Sequence, residues 1–158
     1  MSVGGSSLSE HEQARIEYLP LQDLRAAPKN PKLHDKDGLH ASFQRFGFKS
    51  PIIINETTGL MVAGHGRYET LMEMKNRGEQ NPEGILIRVA DGSWLVPVVR
   101  GLSFKDEREA QAYLLADNQL TIALGFNEKL LAEILPDHQL NVHGLGFSTE
   151  ELQKYIPQ

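Results

Sequence analysis

The chain has 158 residues, 40% of them hydrophobic, and a formal net charge of -5, which suits one domain with a real core and at most a small appendage. It has no cysteine, which excludes disulfides, thiolate metal sites and cysteine nucleophiles. The acidic balance argues against broad, charge-driven coating of DNA, and no apolar run approaches the roughly 18 residues of a membrane span. No signal peptide is visible, so the expectation is a cytoplasmic protein with no membrane partner.

Residues 1–14 are rich in Ser, Gly and charged side chains and read as a disordered tail. Arg15 to Leu19 alternates polar and apolar, as a short strand does, and Pro20 limits it or makes it an edge. Leu21 to Leu24 reads as one turn, and Ala26 to Pro31 as a proline-bearing loop. Asp35 or Asp37 caps a predicted helix to about Phe46, with Leu39, Phe43 and Phe46 on one face and Gly47 at its end. Ser50 to Asn55 is a buried strand; Glu56 to Gly59 turns it into a partner strand, Leu60 to Ala63.

That hairpin delivers Gly64-His65-Gly66-Arg67, and a helix follows with Tyr68, Leu71, Met72 and Lys75 on one side, closed by Gly78. Ile85 to Val89 and Trp94 to Val99 form a second hairpin through Asp91-Gly92, with Pro97 making one side of the second run an edge and Trp94 packing the sheet. Ser103 caps a helix with Ala110, Tyr113 and Leu114 inward, ending near Ala116-Asp117-Asn118. Glu128 to Leu135 is a short helix with Leu130, Leu131 and Ile134 inward, stopped by Pro136. Ser148-Thr149-Glu150-Glu151 is a capping box for a last helix through Ile156. The fold class expected is α+β: a small mixed β-sheet with packed helices over residues 15–125, and a helical C-terminal extension over 126–158.

Three segments carry a mixture that core packing does not need. The first is Gly64 to Arg67, where a strand turns through glycines into a helix. Free N–H groups and the helix dipole at such a start attract an anion. Gly66 has no Cβ to keep a phosphate away, Arg67 adds a planar fork of donors, and His65 can donate near neutral pH. Geometry alone would also explain the glycines. The second segment is Asn30-Pro31-Lys32-Leu33-His34, where Lys32 and His34 either face phosphates or are solvated charges on a loop. The third is Asp117-Asn118-Gln119, whose first two residues suit Mg²⁺ as oxygen ligands or serve as a helix C-terminal cap. Ser42 lies beside the core stripe of its helix and would bond a ligand or its own backbone. His11, His40, His138 and His143 read as surface residues, and His65 lacks a second histidine at zinc spacing. A phosphate-binding loop with a terminal Lys-Ser/Thr and a serine-nucleophile elbow are both absent from the sequence.

Asn-Pro-Lys-x-His, the helix with Ser42, Gly-Phe-Lys-Ser-Pro-Ile-Ile-Ile, the Gly-His-Gly-Arg turn and Leu-Ala-Asp-Asn follow one another in an order that resembles the ParB/sulfiredoxin superfamily. The likeness spans about Ile16 to Gly125 and is nearest to ParB-like nuclease (ParB N-terminal) domains of the stand-alone or methyltransferase-associated type carried by phages and mobile elements. It implies phosphate binding by Gly64, His65, Gly66 and Arg67, a cation site at Asp117 and Asn118, and pocket contacts from Asn30, Lys32 and Ser42. It implies Mg²⁺ and a nucleoside triphosphate, ATP or CTP, as cofactor or substrate. DNA is the implied partner, with a DNA methyltransferase, a phage packaging protein or a second copy of the chain beside it.

Ala63-Gly64-His65-Gly66-Arg67 lacks the cysteine that sulfiredoxins place before this turn, which rules out their reductase chemistry. The roughly 40 residues after Asn118 cannot hold the further domains of a partition clamp. The expected function is therefore a nucleotide- and Mg²⁺-binding domain that hydrolyses a phosphate ester or anhydride as a nuclease or triphosphatase. Arg67 would stabilise charge, and His65 or His34 would act as general acid or base. A non-catalytic nucleotide switch, a DNA-associated adaptor and a small-molecule kinase are the alternatives.

Overall fold

The computed structural model describes residues 13–30, 32–123, 125–137 and 141–156. The expected tail up to residue 12, Pro31, His11 and His138 lie outside the described residues. Five strands make one mixed sheet: β1 (Arg15–Pro20), β2 (Ile52–Asn55), β3 (Met61–Ala63), β4 (Leu86–Ile87) and β5 (Trp94–Leu102). The order is β1-β5-β2-β3, with β4 on the flank of β5. β5 runs antiparallel to β1 and β4 and parallel to β2, which pairs antiparallel with β3. The helices are α1 (Lys36–Phe46), α2 (His65–Asn76), α3 (Glu107–Ala123), α4 (Glu128–Ile134) and α5 (Thr149–Tyr155). The class is α+β, as the alternation of strand and helix periods implies.

The core lies between one sheet face and the helix pair α1–α2. Ile52 and Ile54 of β2, and Trp94, Val96 and Val98 of β5, point inward at the two-residue strand period. Phe43 of α1 and Leu71 and Met74 of α2 cover them. Trp94 thus packs the sheet, as expected. Alongside the core, α1 is clasped to α2 by the Lys36–Glu73 ion pair at 2.6 Å and to the turn after α2 by a His40–Glu79 contact at 2.6 Å, with His34–Glu69 at 3.3 Å just before α1. His40 is therefore a paired, half-buried residue rather than a free surface one.

Several expectations are corrected. Phe46 is 39% exposed, and Phe48 enters the core in its place, 5.4 Å from Phe43. The chain turns at Gly47 and swings the next aromatic inward. In α2 the inner face runs through Thr70, Leu71 and Met74, while Lys75 is only half-buried and Tyr68 and Met72 pack at the margin. Pro97 lies on a strand with neighbours on both flanks, yet one side of the strand is open at Pro97, as its missing N–H implies. On the flank opposite β1, β4 ends opposite Leu95 and β2 begins opposite Val98, so an imino acid between them breaks no ladder there. Asp106, not Ser103, accepts from the first turn of α3, at the N–H of Glu109. Tyr113 is exposed and stacks on Phe104. Leu130 and Ile134 are 53% and 55% exposed, so α4 buries little beyond Leu135, just past its end. The Ser148–Glu151 capping box is present in both directions.

One half-buried clamp was not foreseen. Glu56, read only as a turn residue, accepts from Arg100 Nε at 2.8 Å, Arg100 Nη2 at 2.9 Å and the Gly101 N–H at 2.6 Å. The Arg100 hydrogen bond, more than any other contact, holds its carboxyl down to about 2. A carboxylate depressed in the fold adds stability above its ordinary range and loses it as pH falls toward about 2. Glu56→Gln is expected to lower unfolding free energy by about 1–3 kcal/mol at neutral pH. It should also flatten the acid limb of stability; urea midpoints at neutral pH and near pH 3 measure both.

Candidate phosphate-binding cleft

β3 ends at Ala63, and Gly64 turns the chain into α2 with φ 103°. Gly64 has no side chain to cap the helix, and the first turn carries no acidic residue. The Tyr68 N–H reaches Gly64 O at 2.9 Å, whereas the N–H groups of His65, Gly66 and Arg67 precede the first intrahelical bond. This uncapped start opens into a cleft of about 380 Å³. Asn30, Lys32, His34, Ser42, Gly64, His65, Gly66, Arg67, Asp117 and Asn118 all line it. Asn30 and Asn118, 88 positions apart in sequence, thus share one cavity.

The side chains do different things there. Arg67 turns back so that Nη2 donates to Pro51 O at 3.0 Å, while its Nε is buried with no hydrogen-bond partner among the described residues. Burial works against its charge and Asp117 supports it. The guanidinium stays protonated, because arginine does not lose its proton in proteins. Asn30 Oδ1 accepts from the Lys32 N–H at 3.2 Å and from Asn118 Nδ2 at 3.5 Å, so the first segment is tied to α3. Asp117 and Asn118 lie within α3, five residues or more before its end, and do not form a helix cap. The helix continues through Leu120 to Ala123, with no glycine or proline to stop it before Gly125. Asp35 also lines the cleft, but its carboxylate caps α1 at the Gly38 N–H, 2.9 Å away. Asp117 is therefore the cleft carboxylate left for a cation, with the Asn118 amide beside it. Among the described residues, no group of three or more His, Cys, Asp or Glu is placed to hold a metal ion.

Two sequence-based roles change. The space over the Gly66 α-carbon is not open to a phosphate: a Cβ there would lie 2.9 Å from the His34 ring and 3.1 Å from Leu39 Cδ1. Gly66 lets the loop before α1 close on α2. His65 is buried, and its Nε2 accepts the Ala27 N–H at 3.1 Å, so the imidazole pins the loop that carries Asn30. Burial, and then the neighbouring His34, push its pKa down. A neutral ring matches that acceptor role, and protonating Nε2 would break the bond. With the folded value below the unfolded one, this stabilisation is complete above the ordinary imidazole range and is lost as pH falls below it. His65→Ala is expected to cost about 1–3 kcal/mol at neutral pH and to blunt the decline in stability between about pH 7 and pH 5, read from thermal melts.

Leu33, Leu39, Val62, Leu114 and the stretch Gly144-Leu145-Gly146 also line the cleft and were not anticipated as site residues. The paired glycines around Leu145 mark a tight turn in the sequence, but nothing in it says that the turn returns to α1. No protein-family model matches the chain, and no curated protein matches it significantly. Among the described residues, no helix is long and apolar enough to cross a membrane.

Proposed function

We propose that the protein binds a nucleoside triphosphate, ATP or CTP, with Mg²⁺ in this cleft. It would do so as a ParB/sulfiredoxin-like domain that works on or near DNA. The observation that carries this reading is Arg67, a half-buried cation whose Nε has no partner among the described residues, at an uncapped helix start. A phosphate would take the free N–H groups and the guanidinium together, which is how helix starts hold anions. Lys32 adds a second cation on the facing loop. Asp117 and Asn118 fit the one or two protein oxygens that Mg²⁺ takes beside phosphate and water, and the ion would neutralise phosphate charge there.

Hydrolysis of a phosphate ester or anhydride is the chemistry proposed, with Arg67 steadying the phosphoryl oxygens. His34 is the imidazole left for proton transfer, since Nδ1 faces Glu69 at 3.3 Å while the His65 Nε2 is already bonded to the backbone. That engagement of His65 favours a second reading, a non-catalytic nucleotide switch. Thermal unfolding with ATP, CTP, GTP, UTP and AMP, with and without Mg²⁺, tests binding. One nucleotide is expected to stabilise the protein in a Mg²⁺-dependent way, and no shift with any of them overturns the reading. Product formation or DNA nicking that needs Arg67 selects hydrolysis; binding without product selects the switch.

A further inference from the structure

The segment 141–146 forms a cleft wall that phosphate binding does not require. Arg45 Nη1 donates to the carbonyls of Asn141 and His143, the second at 2.5 Å. The His143 N–H bonds Asn141 Oδ1 at 3.0 Å, and the Leu145 N–H bonds Val142 O at 3.3 Å, so the segment is a compact strap. Gly144 and Gly146 flank Leu145 with φ 78° and 85°, a backbone that side chains resist. A Cβ on Gly144 would lie 3.1 Å from Ala41 O, so the strap rests directly on α1.

The circumference of α1 explains its position. At about 100° per residue, Lys36, His40 and Phe43 form the stripe toward α2. Gly38, Leu39 and Ser42 form the next stripe, which lines the cleft. Ala41 and Arg45 form the one beyond, which holds the strap. The start of α2 and the strap therefore close the cleft from opposite sides. The α2 side is cationic and rich in N–H donors. The strap side offers Leu145, half-buried, while Leu39 lies between it and Gly66, and Val62 and Leu114 add apolar carbon elsewhere in the lining. A bare polyphosphate gains nothing from apolar carbon, whereas a nucleoside has flat apolar faces to bury.

Resting on the nucleotide reading above, we infer that the strap is the nucleoside-side wall of the cleft. Leu145 makes the site prefer a nucleotide over a free polyphosphate, and Arg45 is the positioning residue that holds Leu145 in place.

The test is calorimetric titration, with Mg²⁺, of ATP, CTP and inorganic tripolyphosphate into the full chain. Folding of each variant is checked by circular-dichroism melts. Wild type is expected to bind one nucleotide about tenfold or more tighter than tripolyphosphate. Arg45→Ala and Leu145→Ala should each lose most of that preference while tripolyphosphate affinity stays within about twofold, and Arg45→Lys should recover part of it. Arg67→Ala should weaken both ligands. Equal affinity of wild type for nucleotide and tripolyphosphate overturns the inference and leaves phosphate binding standing. So does unchanged nucleotide affinity in both strap variants. Failure of wild type to bind any of the three overturns the inference and the nucleotide reading together.

Discussion

Arg67→Ala is expected to cut nucleotide-dependent stabilisation sharply while leaving the unliganded protein folded. At a ligand concentration about 100 times its dissociation constant, wild type should gain roughly 2.7 kcal/mol. Charge-assisted hydrogen bonds from a guanidinium are worth about 1.5–3 kcal/mol, or roughly tenfold to a hundredfold in affinity. A hundredfold loss reduces the gain at the same concentration to about 0.4 kcal/mol. In the unliganded fold Arg67 has Pro51 O as its hydrogen-bond partner, Asp117 as a supporting charge, and an Nε with no partner among the described residues. Its removal therefore takes away a desolvated charge as well as a contact, and these oppose each other. Arg67→Lys keeps the charge but cannot serve Pro51 and a phosphate with one planar fork, so it should fall between the two. Differential scanning fluorimetry with and without nucleotide measures all three. Equal ligand shifts in wild type and Arg67→Ala would remove Arg67 from the site.

Gly64→Ala should be among the most damaging single-methyl additions near the cleft, costing about 2–5 kcal/mol. Two terms add. A side chain at φ 103° pays about 1–2 kcal/mol for the left-handed backbone. Its Cβ would also stand 2.8 Å from Ile52 Cγ1 and 3.3 Å from Ile52 Cα. Ile52 is fully buried on a central strand and has nowhere to retreat, so overpacking adds about 1–3 kcal/mol. Gly59→Ala is the control. It has φ 72°, but nothing lies within 4 Å of its added Cβ, so only the backbone term applies. Urea unfolding should place Gly64→Ala well below Gly59→Ala; equal losses would show that the contact with Ile52 yields. Because the new methyl also lies 3.1 Å from Arg67 Nη2, nucleotide affinity should fall even where the variant remains folded.

Much of the architecture is local and so was legible in the chain. The strand period at Ile52 and Ile54, the Asp91-Gly92 hairpin, the Asp35 cap and the Ser148–Glu151 box each depend on a few neighbouring residues. The strand–glycine–helix junction at Gly64 is local in the same sense, and so is its uncapped start. Ordering of motifs was enough to nominate Asn30, Lys32, His34, Ser42, Asp117 and Asn118, and the fold gathers them into one cleft. What those residues contact was not legible, because the partners come from distant elements. Gly66 yields its space to His34, His65 gives its lone pair to Ala27, and Glu56 closes on Arg100. Pro97 could sit mid-sheet only because β4 and β2 leave a gap opposite it. Sequence periodicity determines which face of an element is apolar. Tertiary packing decides what meets that face, since contact across 30 to 100 residues depends on chain return, as when Arg45 of α1 captures the strap at 141–146.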